Sequence, residues 1–324
     1  MIENESILVT GSAGCIGAWA VRELVHEGTP VVAFDIAEDS HRLRLVLDDD
    51  ELTRVAFRKG DIRDASAVQK VVREEGITHI VHLAGLQVPF CAADPVNGSL
   101  VNVTGTLNVL EAKRRSDGQV RGLTYASSIG VFGEAHMYDR GVAYDDSPTA
   151  PVTLYGVYKQ ANEWTARIYA TDWGVGSVGL RPSVIYGLGR DQGLTSDATN
   201  AMLAAASGVS GHIAHGGTVT YQHAQDMAAI FVAAARLESE TALVHNVGGP
   251  VAHISDIAAM IDATSPGIQT TYDTTPFPLP STIDGTGLDQ VIDYQQRSLE
   301  DGIGETVEDF RRLQAAGRIE AHGT

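Results

Sequence analysis

Two cysteines in 324 residues, Cys15 and Cys91, are too few for a disulfide framework and fit a reducing compartment. Cations are scarce as well: 23 Lys and Arg stand against 41 Asp and Glu, a formal net charge of −18. That balance argues against nucleic acid and against an anionic membrane surface as partners. No apolar run approaches the roughly 20 residues a membrane span needs. The start, MIENES, is acidic and lacks the basic-then-apolar pattern of a signal peptide. These absences together point to a soluble, cytoplasmic protein. Apolar content is ordinary at 44%, and no low-complexity tract, internal repeat or linker interrupts the chain, so it should pack as one body with a large core.

What is present begins with Thr10–Gly17, TGSAGCIG, between the apolar run Ser6–Val9 and a helix-like segment, Ala18–His26. Glycines at 11, 14 and 17 suit a sharp strand-to-helix turn, where open N–H groups and a positive helix end can receive a pyrophosphate. A second strand, about 30–34, ends in Asp35, near the expected spacing of about 20 residues from the glycine motif. A carboxylate there accepts both hydroxyls of a ribose and repels a 2′-phosphate, and no Arg follows directly at Ile36. NAD is therefore expected rather than NADP.

Further strand signals appear at Val55–Arg58, His79–Leu83, Arg121–Ala126, Gly176–Arg181 and Leu243–Val247, with helix-like stretches at Ala65–Glu75 and Val101–Arg115. Repeated βα units with short connections imply a parallel sheet covered on both faces. The expected fold class is α/β: a Rossmann-type doubly wound parallel sheet with a small C-terminal substrate-binding part. Residues 1–181, completed by about 218–250, would form the NAD-binding domain. Residues 182–217 and 251–324 would form the substrate-binding part. The latter holds the Gly- and Thr-rich stretch Gly187–Gly217, a short helix Ile254–Ala263, a Pro-rich loop Pro276–Pro280 and a last helix of about Ser298–Ala316; a helix Gln225–Leu237 falls within the completing segment.

Chemistry gathers in two places. Tyr155-Gly-Val-Tyr-Lys159 puts a phenol and an ammonium at i and i+4, on one helix face. The ammonium should favour phenolate and lower the Tyr155 pKa, making it an acid/base for alcohol–carbonyl interconversion, and Lys159 can also reach the nicotinamide ribose. Upstream, Tyr125-Ala-Ser-Ser-Ile-Gly-Val-Phe-Gly133 ends a predicted strand with two serines, at the edge where ligands gather in such sheets.

TGSAGCIG, Asp35, GDIRD (Gly60–Asp64), HLAG (His82–Gly85), NVTGTLNVLEA (Asn102–Ala112), YASSIGVFG, YGVYK, LRPSVIYG (Leu180–Gly187) and SLEDGIGETVEDF (Ser298–Phe310) stand in one order. Together they resemble the extended short-chain dehydrogenase/reductase family, the NAD-dependent epimerase/dehydratase type. The resemblance implies cofactor contacts at Gly11, Ala13, Gly14, Cys15, Ile16, Gly17, Asp35, Asp61, Ile62, Leu83, Ala84, Gly85 and Asn102. It also implies Pro182 beside the nicotinamide, and Ser128, Tyr155 and Lys159 as the catalytic set, with Ser128 chosen over Ser127 because it precedes I-G-V-F-G. It further suggests a homodimer in which the helices carrying Val101–Arg115 and Tyr155–Thr171 pair into a four-helix interface.

Departures narrow the reading. Cys15 occupies a position commonly aromatic in the family, and packing is expected of it rather than reactivity. The Thr-Asp-Glu run of dehydratase members is Ser127-Ser128-Ile129 here, which removes the acid and base that dehydration needs. Nucleotide-sugar members bind the substrate diphosphate through Arg side chains. Neither Gly216–Asp226 nor Pro276–Asp284 contains one, and Arg190 is the only Lys or Arg between Pro182 and Ala235. A non-nucleotide sugar, sugar acid or polyol is therefore favoured, with Gln87, Ser128 and Arg190 as candidate contacts. Epimerisation of a nucleotide sugar with tightly bound NAD is the alternative, and a NAD-sensing regulator ranks last. No metal site is expected: His79 and His82 face opposite sides of a strand, and His212, His215 and His223 have no Cys or acid cluster at metal spacing. Asp226 is expected to cap the helix Gln225–Leu237.

Overall fold

Ile-Leu-Val-Thr at 7–10 shows no polar alternation, the mark of a parallel strand covered on both faces, and all four residues are buried. In the computed structural model, which describes residues 5–37 and 41–320, this strand, β1 (Ile7–Thr10), lies inside a seven-stranded sheet. Residues 1–4 of MIENES, and Glu38 after the second strand, lie outside the described residues. From β1 the chain runs through α1 (Cys15–Glu27) to β2 (Val31–Asp35), then through α2 (His41–Val46) and α3 (Asp49–Leu52) to β3 (Val55–Lys59). Next, α4 (Ala65–Glu74) leads to β4 (His79–His82). Short helices α5 (Val88–Ala93) and α6 (Pro95–Ser99), a π-helical stretch (Leu100–Thr104) and α7 (Gly105–Arg114) precede β5 (Gly122–Ala126). A short β6 (Val142–Ala143) and the long α8 (Leu154–Trp173) bring the chain to β7 (Ser177–Arg181). Then come β8 (Val184–Tyr186), α9 (Asp197–Ala206), β9 (His212–Ile213), β10 (Thr218–His223), α10 (Ala224–Ala235) and β11 (Ala242–Asn246). The end consists of β12 (Val251–His253), α11 (Ile254–Thr264), β13 (Thr271–Tyr272), β14 (Thr282–Ile283), α12 (Thr286–Asp289) and α13 (Leu299–Ala315).

The main sheet is parallel, in the order β3-β2-β1-β4-β5-β7-β11. Strand side chains alternate between two cores. Ile7 and Val9 join Trp19, Leu24 and Phe231 of α1 and α10, whereas Leu8 joins Val68, Val71 and Val109 of α4 and α7. This is the doubly wound arrangement, helices on both faces of one sheet. Strand order reverses at β1, with β2 on one side and β4 on the other, so a crevice opens beyond their carboxyl ends. A three-stranded sheet, β12-β10-β8, stands apart from the main one.

Three sequence expectations need correction. The stretch Val101–Arg115 is not one regular helix, because its first turn is π-helical. Gly187–Gly217 is more than a glycine-rich loop: its alanines at 198, 201 and 205 and Met202 form the buried face of α9, in the same core as Phe310 and Leu313 of α13. Asp226 does not cap α10. The His223 ring does so, accepting from the Gln225 N–H at 3.2 Å, while the Asp226 carboxylate is taken by the Arg297 guanidinium (3.0 Å) and backbone N–H (3.0 Å). No helix among the described residues is long and apolar enough to cross a membrane.

Candidate active site

The crevice is shaped first by Gly11. Its φ of 70° is left-handed, and a Cβ there would stand 2.5 Å from the Ala84 backbone nitrogen, so only glycine lets the turn lie against β4. No side chain caps the N-terminus of α1 at Gly14, which leaves its first N–H groups facing the crevice. Gly17 is also required for packing. A Cβ there would sit 2.1 Å from the Gly11 carbonyl oxygen, so it packs the helix onto the turn. Cys15 sends its thiol toward the Leu188 carbonyl at 3.9 Å, and burial pushes that thiol up to about 12; packing, not reactivity, is what the position offers. Ile16 packs against the core.

A cavity of about 450 Å³ fills the crevice. Of the residues expected at the cofactor, it is lined by Gly11, Ala13, Gly14, Asp35, Asp61, Ile62, Leu83, Ala84 and Gly85. Cys15, Ile16, Gly17, Asn102, Tyr155, Lys159 and Pro182 lie outside this lining. Phe34, Ile36, Ala37, Arg42, Gly60, Arg63, Leu86, Asn97 and Val101 complete it and were not anticipated. Gly60 and Arg63 stand inside GDIRD and Leu86 directly follows HLAG, so those motifs carried a usable signal. Nothing in the sequence marks Arg42. The Asp35 carboxylate ends β2 and accepts from the Ala13 and Ala37 N–H groups at 2.9 and 3.1 Å. The Arg63 guanidinium grips Asp61 (Nη2 at 2.6 Å), and this hydrogen bonding holds the Asp61 carboxyl below the usual range.

Asn102 lies in the π-helical stretch. Its Nδ2 donates to the carbonyls of Gly98 (3.0 Å) and Leu86 (3.2 Å), but its Oδ1 is buried without a partner. That orphaned oxygen lies 2.8 Å from where a Gly85 side chain would begin, at the bare floor of the crevice. An unused acceptor, a glycine floor, an uncapped helix end and a strand-end carboxylate together fit a dinucleotide.

Beside this crevice, β5 ends in Ala126-Ser127-Ser128, and α8 starts behind a Thr153 cap that accepts from the Gly156 N–H at 3.1 Å. Ser127 is buried and donates to Glu163 at 2.5 Å; Ser128 keeps partial exposure and accepts from the Gly130 N–H at 3.0 Å. A side chain at Gly130 would meet Ser128 Oγ at 3.3 Å and the Tyr155 ring at 3.4 Å, so this glycine allows the hydroxyl and the phenol to share one space. The buried Lys159 donates to the Ala126 carbonyl at 2.7 Å, with its Nζ 5.5 Å from the centre of the Tyr155 ring. The expected lowering of the Tyr155 pKa is not found. Burial raises it, opposed by the Ser128 hydroxyl and by the Arg190 charge, and burial also pulls the Lys159 ammonium down to about 8. The Pro182 carbonyl accepts from the Ile129 N–H at 3.1 Å and so joins this cluster through the backbone.

Across from it, Arg190 Nη2 donates to Thr195 Oγ1 at 3.2 Å, and Nη1 donates to the Gln87 amide oxygen at 3.1 Å. Arg297, just before α13, is committed to Asp226 and Glu305. Val219 and Tyr221 of β10 are buried. The histidines have local partners: His82 lies between Thr10 (2.7 Å) and Thr106 (3.1 Å), His212 meets Thr271 and His215 meets Tyr221. No group of three His, Cys, Asp or Glu able to hold a metal occurs among the described residues.

Residues 7–248 match the NAD dependent epimerase/dehydratase family. A UDP-glucose 4-epimerase of Lactobacillus helveticus is 34% identical over 158 residues, which is 48% of this chain and 44% of that protein. The chain thus spans about half the length of the curated relatives it matches. The crystal structure of a Thermus thermophilus UDP-glucose 4-epimerase in complex with NAD superposes with a TM-score of 0.78 at 25% identity, covering 94% of this chain and 99% of that one. L-threonine dehydrogenase of Clostridium difficile superposes at 0.80 with 19% identity, covering 97% and 99%, a likeness of fold alone.

Proposed function

The chain belongs to the NAD-dependent epimerase/dehydratase family, and we propose that it moves hydride between NAD and an alcohol or carbonyl carbon of a small, sugar-like molecule carrying no nucleotide. It is an NAD-dependent enzyme of the extended short-chain type. Bound NAD supplies the hydride acceptor, or the donor in reverse. Gly11, Ala13, Gly14, Asp35, Asp61 and Asn102 would hold it.

The observation that carries the reading is the convergence of Ser128, Tyr155 and Lys159 at the end of β5, beside the dinucleotide crevice. In this reading the Ser128 hydroxyl orients the reacting oxygen of the substrate. During oxidation the Tyr155 phenolate takes the proton from that oxygen, and in reduction the phenol returns it. Lys159 sits within reach to support the phenolate, anchored by the Ala126 carbonyl. The substrate wall supports the absence of a nucleotide, because a diphosphate needs cationic or oriented donors. Residues 182–235 offer only Arg190, and Arg297 is already spent on Asp226 and Glu305. We assign that wall to residues 182–217 and 251–324. A screen of NAD with sugars, sugar acids and polyols, read by NADH absorbance, tests the reading.

Epimerisation with NAD retained is the second reading. It is favoured by the segment at 187–191, which is tied to α1 and to Arg42 at the edge of the crevice. Product formation without net NADH would mark it.

We also infer a homodimer. Leu154, Val157, Trp164 and Ile168 recur along one face of α8 and are all exposed, with Val96 and Leu100 exposed before α7. Such a face on neighbouring helices suits self-pairing across a two-fold. Sedimentation of the wild type and of Trp164→Glu would test it, with a dimer expected to become a monomer.

A further inference from the structure

Residues 187–195 are fastened at two points to elements that border the crevice, α1 and α2. The Leu188 carbonyl accepts from Trp19 Nε1 at 2.9 Å and from the Cys15 thiol at 3.9 Å, both on α1. Three residues on, the Asp191 carboxylate accepts from Arg42 (Nη2 at 2.5 Å, Nε at 3.2 Å) and from His41 at 2.9 Å. Arg42 itself lines the crevice and donates Nη1 to the Ala13 carbonyl of the glycine loop at 3.0 Å. Between the two fastenings stands Arg190. Its Nε is buried without a partner, and no carboxylate among the described residues pairs with it. Its charge is felt at both the Cys15 thiol and the Tyr155 phenol, so it stands near both the α1 N-terminus and the serine–tyrosine cluster.

A half-buried cation without an anion is costly, and the chemistry of the crevice supplies one. TGSAGCIG contains no Lys or Arg. A helix end offers only about half a positive charge against the two negative charges of a pyrophosphate. We propose that Arg190 is a cofactor-binding residue that meets the pyrophosphate of NAD, held there by a strap that the Arg42–Asp191 ion pair locks. The strap comes from the C-terminal side of the sheet and the pyrophosphate lies on the glycine loop, so the bound dinucleotide is gripped from both sides. This inference rests on NAD as cofactor and not on the identity of the substrate.

Ligand binding without turnover tests it. NADH, ADP-ribose and AMP are titrated against the wild type, Arg190→Gln and Arg190→Lys, and NADH release is followed by stopped flow in Asp191→Asn. Loss of a charge-assisted contact should weaken NADH and ADP-ribose by about tenfold or more in Arg190→Gln, and less in Arg190→Lys. AMP, which lacks the pyrophosphate, should bind equally to all three, and equal AMP binding also shows that the crevice is folded. Asp191→Asn should release NADH several-fold faster. Affinity for NADH and ADP-ribose within twofold of wild type in Arg190→Gln would overturn the assignment, including the case in which only an anionic substrate is weakened. An unchanged release rate in Asp191→Asn would overturn the lock.

Discussion

The Ser127 hydroxyl donates to Glu163 at 2.5 Å, and Glu163 is in turn gripped by both Nε and Nη2 of Arg181 at 2.7 Å. All three side chains are buried, so the first of the two adjacent serines is consumed by structure, whereas the second, the proposed catalytic one, keeps partial exposure. Ser128→Ala should therefore lower kcat by about ten- to a hundredfold with little change in Tm. Ser127→Ala should lose about 1–3 kcal/mol of stability, because it leaves a buried carboxylate short of a donor. Thermal melts and steady-state kinetics on the two variants check the division.

Glu163 and Arg181 join α8 to β7, the elements on either side of the serine pair. Breaking a buried ion pair by removing one partner costs about 3–5 kcal/mol, since the other charge stays uncompensated. Arg181→Met should be destabilised by that order, measured by urea unfolding. The double variant Glu163→Met/Arg181→Met should recover much of the loss.

Tyr155→Phe should reduce turnover by about 10²–10⁴-fold while leaving NADH affinity nearly intact. With the phenol raised by burial, the oxidising direction should speed up as pH rises and more phenolate forms. The reducing direction, which uses the neutral phenol, should stay flat through neutral pH. Lys159→Ala should move the oxidative limb to still higher pH. The pH profiles of kcat/KM in both directions measure this.

His82 and His223 are buried, and desolvation pulls both down from 6.5 to about 3. Between those values the unfolded chain binds protons that the folded rings refuse, so stability falls as pH drops from 6.5 toward 3. Urea unfolding at stepped pH should show this loss, and His82→Gln should make the dependence shallower.

The sheet was legible because buried parallel strands such as Ile7–Thr10 show no polar alternation, and because the glycine turn stands between a strand and a helix with an acid at the end of the next strand. The proposed catalytic trio could be picked out because Tyr155 and Lys159 share one helix face and Ser128 follows a strand end. Arg42 was hidden: it reaches Ala13 only through the fold, from well beyond the glycine loop in sequence, and no motif surrounds it. The helix α9 was masked by flanking glycines, although its alanines repeat at helical spacing. His223 took the cap expected of Asp226 because Arg297, which lies more than seventy positions away in sequence, claims that carboxylate. The Tyr155 pKa depends on burial, which a sequence does not state.

Most direct for the central claim is one assay: NAD with non-nucleotide sugars, sugar acids and polyols, and separately with UDP-glucose, read by NADH absorbance and by product analysis. Net NADH should form with at least one non-nucleotide substrate and be abolished in Tyr155→Phe, and UDP-glucose should not bind tightly. Micromolar affinity for UDP-glucose, with a 4-epimer formed and no net NADH, would contradict it.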